Sequence, residues 1–429
     1  MADIKPFCAV RYNSKHFKKP LVSPPYDIIT ENQRAELASN EHHMINLDKP
    51  GREDDEGRYR KAAERFRDWK EHSILVKEEE PSFYVYAQRF KHPETSECFE
   101  RTGFFTLVKL EKHYENAIFP HEKTLSAPKV DRLNLMKTTQ AQFSPVFGLY
   151  DDEKNQADAV FQTVKESKPL YDTYHDYDGT EHIMWRVSNQ KHTAALNDIL
   201  KEQKIIIADG HHRYATALNY AHEMRLHNSA SLNSMPYDYV LMCLINFNDR
   251  GLVILPTHRL LSLNIDTNQL LKRLKEFFVV KTSWPEEIEK ALSHKVGNTR
   301  MIGLCLGKDK GNYLLALKNE EVLRGIIPES SSQEWRTLEV NLLYYVILKK
   351  IINISDEDFE TKISYSHSFS ETFNTVNNQE IACTFLLPPC TKGDLERVTA
   401  AHEVMPQKST YFFPKIFSGF VLYDMKLNK

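Results

Sequence analysis

The chain has 429 residues, a length that suits two or three domains better than one core. With 41% hydrophobic residues, 27% charged residues and a net charge of −3, it reads as globular and gives no support to broad nucleic-acid binding. No apolar run nears the roughly 18 residues that span a bilayer, so no membrane partner is expected. The N-terminus lacks a secretory pattern, and the six cysteines are scattered without zinc or redox spacing, so a cytoplasmic protein with reduced thiols is expected.

Ile4 to Tyr12 alternates and predicts a first strand. In VSPPYDII, Val22 to Ile29, two prolines fix φ and hold Tyr26 and Asp27 on a stiff loop. Such a loop suits a binding site or an ordinary connection. Tyr59, Ala62, Ala63, Phe66 and Trp69 stand at helical spacing within Gly51 to Lys70 and predict an amphipathic helix. SFYVYAQRF and TGFFTLVKL, about the polar link KHPETSECFER, predict a β-hairpin. Pro120, Pro128 and Pro145 then leave only Asp131 to Gln142 as helix, and His121-Glu122 falls on a loop. There Glu122 could serve as a general base or be an exposed carboxylate with no chemical task. Phe143 to Tyr150 reads as a strand and Ala194 to Gln203 as a helix.

The most informative stretch is KIIIADGHHRYATALNYAHEMR, Lys204 to Arg225. Lys204 to Ala208 predicts a buried strand, Asp209-Gly210 a tight turn, and the residues from His212 a helix. This crowds Asp209, His211, His212 and Arg213 onto one strand-to-helix corner. Unpaired amides at a helix start favour an anion, an arginine can fork two hydrogen bonds to phosphate, and an acidic residue can hold a metal or a hydroxyl. The plainer reading makes Asp209 an N-cap and the histidines surface or core residues.

Further on, YDYVLMCLINF and GLVILPTHRLL predict a second pair of strands about the turn Asn248-Asp249-Arg250-Gly251. His258 and Arg259 end that pair as another polar cluster or as a surface turn. Asp266 to Val280 reads as a helix, Thr299 to Lys318 as a hairpin and Trp335 to Ile352 as a helix. A strand from Lys362 to His367, a helix from Phe369 to Asn377, a strand from Ile381 to Leu387 and a helix from Thr391 to Ala401 follow. Lys408, Ser409 and Thr410 stand between Pro406 and Pro414, where they either cradle phosphate oxygens or form a solvated turn.

ADGHHRY resembles the GHHR-type box of the ParB/sulfiredoxin-like superfamily, which handles phosphate or nucleotide. Three segments resemble the free serine kinase branch, in order: PHE at Pro120 to Glu122, DGHHR at Asp209 to Arg213, and EVMPQKST at Glu403 to Thr410. With SPPYD, LPTHRLL and MPQKSTYFFPK, nearly the whole chain resembles a large bacterial and archaeal family related to that kinase. The resemblance implies an α/β (α+β) fold, a ParB/sulfiredoxin-like core with mixed sheet plus additional α/β segments. Its divisions would be 1–110, a catalytic core at 111–235, a second domain at 236–330 and a C-terminal segment at 331–429.

The implied chemistry is phosphoryl transfer from ADP or ATP, with Mg²⁺, to the hydroxyl of a small metabolite, L-serine being the leading guess. Glu122 would be the general base, and Asp209 would sit beside the acceptor or the metal. His211, His212 and Arg213, with Gly210, would hold the transferred phosphate, and Lys408, Ser409 and Thr410 would close the site. His121, Thr124, His258 and Arg259 would contact substrate. This chain departs from the kinase in its long segment Met1 to Phe119, in the wide gap between Glu122 and Asp209, and in Gln407, inserted before Lys408. A ParB-like nucleotide-binding or DNA-associated regulator, and a metal-dependent phosphatase or hydrolase using His121, Asp209, His211 and His212, are the competing readings.

Overall fold

The apolar run Tyr239–Asn246 is buried at every position, and such a strand needs a neighbour on each side. It finds them in Val146–Tyr150, parallel, and Cys98–Lys109, antiparallel, at the middle of a nine-stranded mixed sheet. A computed structural model describes residues 2–426 apart from 18–20, 53, 113–114, 116, 123–126, 176–178, 228–233, 264, 294–298, 308–309 and 378–380. The chain forms two compact units. The first is Met1–Pro120, Thr124–Val253 and Pro414–Lys429; the second is His121–Lys123 and Ile254–Phe413.

In the first unit the strands run in the order Ile118–Pro120, Ile205–Asp209, Val146–Tyr150, Tyr239–Asn246, Cys98–Lys109, Phe83–Lys91, Glu181–Val187 and Tyr171–His175, with Ile4–Lys5 also pairing with Cys98–Lys109. The predicted hairpin is present as Phe83–Lys91 and Cys98–Lys109. The sheet draws strands from three of the four expected segments, because burial and register rather than nearness in sequence decide which strands pair. The helix Arg58–Glu71 buries Ala62, Phe66 and Trp69 in a cluster with Tyr12, Met44, Leu47 and Phe143.

The second unit holds a wholly antiparallel sheet of six strands: Phe278–Thr282, Asn312–Leu317, Met301–Cys305, Cys383–Leu386, His258–Leu261 and Ile363–Ser366, in spatial order. Ile288, Leu292, Phe369, Val376 and Leu386 pack together in its core. The hairpin expected between Thr299 and Lys318 is present as Met301–Cys305 and Asn312–Leu317.

Several expectations are corrected. YDYVLMCLINF and GLVILPTHRLL do not pair with each other, since Tyr239–Asn246 and His258–Leu261 belong to different sheets. The helix expected over Asp266 to Val280 stops at Phe277, and the β-branched Val279 and Val280 pass into the strand Phe278–Thr282. The helix expected from Asp131 starts at Ala127, with Pro128 in its first turn, where a missing N–H costs nothing. Ile4 to Tyr12 is two short strands, Ile4–Lys5 and Val10–Tyr12, since Pro6 cannot donate to a ladder. Trp335 to Ile352 resolves into two short turns and a π-helical segment, Leu342–Ile352. All six cysteines are free thiols, and among the described residues no helix is long and apolar enough to cross a membrane.

Candidate functional site

In the first unit, the strand Ile205–Asp209 buries Ile205, Ile207 and Ala208 between two neighbours and delivers Asp209 to the strand's carboxyl end. Gly210, at φ +88°, turns the chain into the helix His211–His227. His211 and Arg213 are buried and His212 is half-buried. Arg213 donates through Nη2 to Asp209 Oδ2 at 3.2 Å and through Nη1 to the carbonyl of Pro145. Lys415 Nζ lies 3.5 Å from the same Asp209 oxygen. Burial works against the charge on Arg213, but Asp209, Asp27, Tyr26 and Asp48 outweigh it and its pKa is raised.

The stiff loop joins this corner. Tyr26, Asp48, Arg132, Ser144, Arg213 and Thr216 line a cavity of about 40 Å³. Arg132 stands over the Tyr26 ring at 4.0 Å and donates to Asp131 Oδ2 through Nε at 2.8 Å. It also donates to the Asp48 carbonyl, and Ser144 donates to the Asp48 carboxylate. Burial pushes the Tyr26 phenol well up, so it stays neutral. Sequence reasoning singled out Tyr26 and Asp27 for their loop but missed Asp48, Arg132, Ser144 and Lys415. Each lies far from the DGHHR segment in sequence, and no local pattern marks it.

The second unit brings His121-Glu122 and the MPQKST segment together. The Met405 N–H donates to the His121 carbonyl at 2.8 Å, and Glu122 and Met405 form a parallel bridge. Beyond it, the Lys408 N–H donates to Glu122 Oε1 at 2.8 Å and the Ser409 N–H donates to Oε2 at 3.3 Å. Lys408 has φ +56°, and this left-handed turn lets successive amides converge on one carboxylate, as in an anion-binding nest. The Ser409 hydroxyl donates to the Pro406 carbonyl at 2.5 Å. Thr410 Oγ1 lies 2.8 Å from His121 Nε2, and His121 is fully buried.

Arg259 stands behind the same loop, donating through Nη2 to the Lys408 carbonyl at 2.8 Å and the Gln407 carbonyl at 3.4 Å. Burial lowers its pKa to about 10 against the pull of Tyr365 and Glu122, so it remains charged near neutrality. His258 is placed otherwise than a substrate cation would be. It is fully buried against Phe369, accepts the Leu387 N–H on Nδ1 at 3.2 Å, and is driven down to about 3 by burial, His367 and Arg259. That makes it a neutral core histidine. Thr124 lies outside the described residues.

The residues do not suit the expected Mg²⁺ at Asp209. Mg²⁺ is usually held by one or two carboxylates plus phosphate oxygens. Two cationic side chains, Arg213 and Lys415, already share Asp209 Oδ2, and a divalent ion there would meet their repulsion. Among the described residues no group of three or more His, Cys, Asp or Glu side chains could hold a metal.

The chain belongs to the family described as protein of unknown function DUF1015, whose model matches residues 4–341. No curated protein matches it. Among solved structures it is similar to free serine kinase in complex with AMP, at 14% identity and a TM-score of 0.37, covering 72% of this chain and 86% of that one. A conserved hypothetical protein from Pyrococcus furiosus gives 14% identity and a TM-score of 0.37, covering 74% of this chain and 94% of that one. SbnI with C-terminal truncation, from Staphylococcus aureus, gives 10% and 0.35, covering 76% and 90%. Likenesses this distant leave the function to be argued from the residues.

Proposed function

We propose that this family member transfers a phosphoryl group from ADP or ATP to the hydroxyl of a small metabolite, with L-serine or a related compound as the leading acceptor. The observation that carries the reading is the pair of amides at Lys408 and Ser409 closing on a carboxylate. Amides that close on a carboxylate can also receive a phosphoryl oxygen, and the contact of Glu122 with this loop supports its reading as the general base. Phosphoryl transfer asks for little beyond positioning, charge neutralisation and an oriented nucleophile.

In this reading the amides of Lys408 and Ser409 hold a phosphoryl oxygen, the Lys408 side chain adds positive charge, and Glu122 takes the hydroxyl proton. Within the first unit, Asp209 orders Arg213 and Lys415, and His211 and His212 stand at the start of a helix whose amides favour an anion. Asp209 thus acts as a positioning residue for two cations.

The test is incubation of purified protein with ATP or ADP and a library of hydroxyl-bearing metabolites, with phosphorylated products read by mass spectrometry. A single phosphomonoester product is expected. Glu122→Gln should lower its formation by roughly 10²- to 10⁴-fold while nucleotide still binds. Absence of any phosphorylated metabolite, or full turnover in Glu122→Gln, would end this reading.

A further inference from the structure

The two peptides that grip Glu122 are held from both ends. Lys408 N–H belongs to the peptide whose carbonyl is Gln407, and Ser409 N–H to the peptide whose carbonyl is Lys408. Those two carbonyls are the ones that Arg259 Nη2 contacts, at 3.4 and 2.8 Å. Each peptide dipole therefore lies between a buried guanidinium at its oxygen and an anion at its N–H. Charge at both ends reinforces the dipole, and hydrogen bonds with an ionised partner are the stronger ones. Lys408 accepts a φ of +56°, uncommon for a residue with a side chain, to complete this geometry. A solvated turn has no need of such a backing. The Arg259 side chain is a fixed part of an anion receptor.

We propose that Glu122 is the resident occupant of this nest, and that a phosphoryl group of the bound nucleotide displaces it. The inference rests on the phosphotransferase reading and adds regulation to the same site. Two oxygens of a carboxylate and two of a phosphoryl group present similar acceptor pairs to the same two amides. They cannot share those amides, because the donors are the same and the charges repel. Arrival of the phosphoryl group thus frees the carboxylate that the chemistry requires. The acceptor hydroxyl then gives its proton to Glu122 while its oxygen forms a bond to phosphorus. The bond from phosphorus to the bridging oxygen of the nucleotide breaks, and that oxygen leaves with the electron pair, giving a phosphomonoester and AMP or ADP. Without nucleotide the base stays engaged.

Inorganic pyrophosphate titrated into the full chain, followed at the backbone amide resonances of Lys408 and Ser409, tests this directly. Glu122→Gln weakens the internal competitor and Glu122→Ala removes it. Pyrophosphate should bind at these amides about tenfold more tightly in both variants, which corresponds to about 1.4 kcal/mol. Unchanged or weaker binding at these amides in variants that melt like the wild type would overturn the proposal, as would failure of pyrophosphate to perturb them at all. The two readings separate cleanly. Tighter binding in the variants, with no turnover of any acceptor by wild type, keeps the nest and removes the kinase. Turnover lost in Glu122→Gln with pyrophosphate affinity unchanged keeps the kinase and removes the displacement.

Discussion

Gly210→Ala is the sharpest test of the strand-to-helix corner, because the chain carries its own control. A Cβ built at Gly210 would lie 2.8 Å from Arg213 Nε and 2.9 Å from Cζ, on a backbone with φ +88°. Gly179, at φ +75°, would meet none of the described residues within 4 Å. Both substitutions carry the cost of a left-handed conformation, of order 1–3 kcal/mol. Only the first also presses on a guanidinium that is buried and tied to Pro145 and Asp209. Displacing it loses charge-assisted hydrogen bonds of about 1.5–3 kcal/mol each. Gly179→Ala should therefore cost about 1 kcal/mol and Gly210→Ala about 3–5 kcal/mol in urea denaturation at neutral pH. If the two variants agree to within about 0.5 kcal/mol, the close fit of Arg213 to the turn is not what requires glycine there.

Asp209→Asn leaves Arg213 and Lys415 without their shared counter-charge, and the expected loss is about 2–3 kcal/mol. That loss should persist at high salt, since screening reaches partly buried pairs poorly; restoration of stability by salt would place the pair in solvent. Acid should destabilise the fold through two buried histidines. Burial lowers His43 to about 4, and burial with His367 and Arg259 lowers His258 to about 3. Protons therefore bind first to the unfolded chain, so this stability is complete above about pH 6.5 and is lost as pH falls toward 4. For His43 the difference corresponds to about 3 kcal/mol, and a urea midpoint that stays flat from pH 7 to 4 would contradict it.

The sequence alone determined the local elements and the chemical classes. Alternation over SFYVYAQRF and TGFFTLVKL was enough for the hairpin, and IIIADGHHR was enough for a strand, a glycine turn and a helix, because period and turn chemistry act between near neighbours. It also marked Glu122 and Lys408 to Thr410, which the family resemblance assigns to one site, without showing which of their atoms meet. Tertiary structure decided three things that no local pattern encodes. Tyr239–Asn246 joins the first sheet rather than its chain neighbour, because a strand buried on both faces takes whatever partners complete the core. Lys415, far along the chain, comes to Asp209 because a half-buried carboxylate gathers two cationic partners only when the core closes around it. His258 looks in sequence like the partner of Arg259. Successive strand residues point to opposite faces, so one lies against Phe369 in the core while the other reaches the carbonyls behind the loop that Glu122 fills.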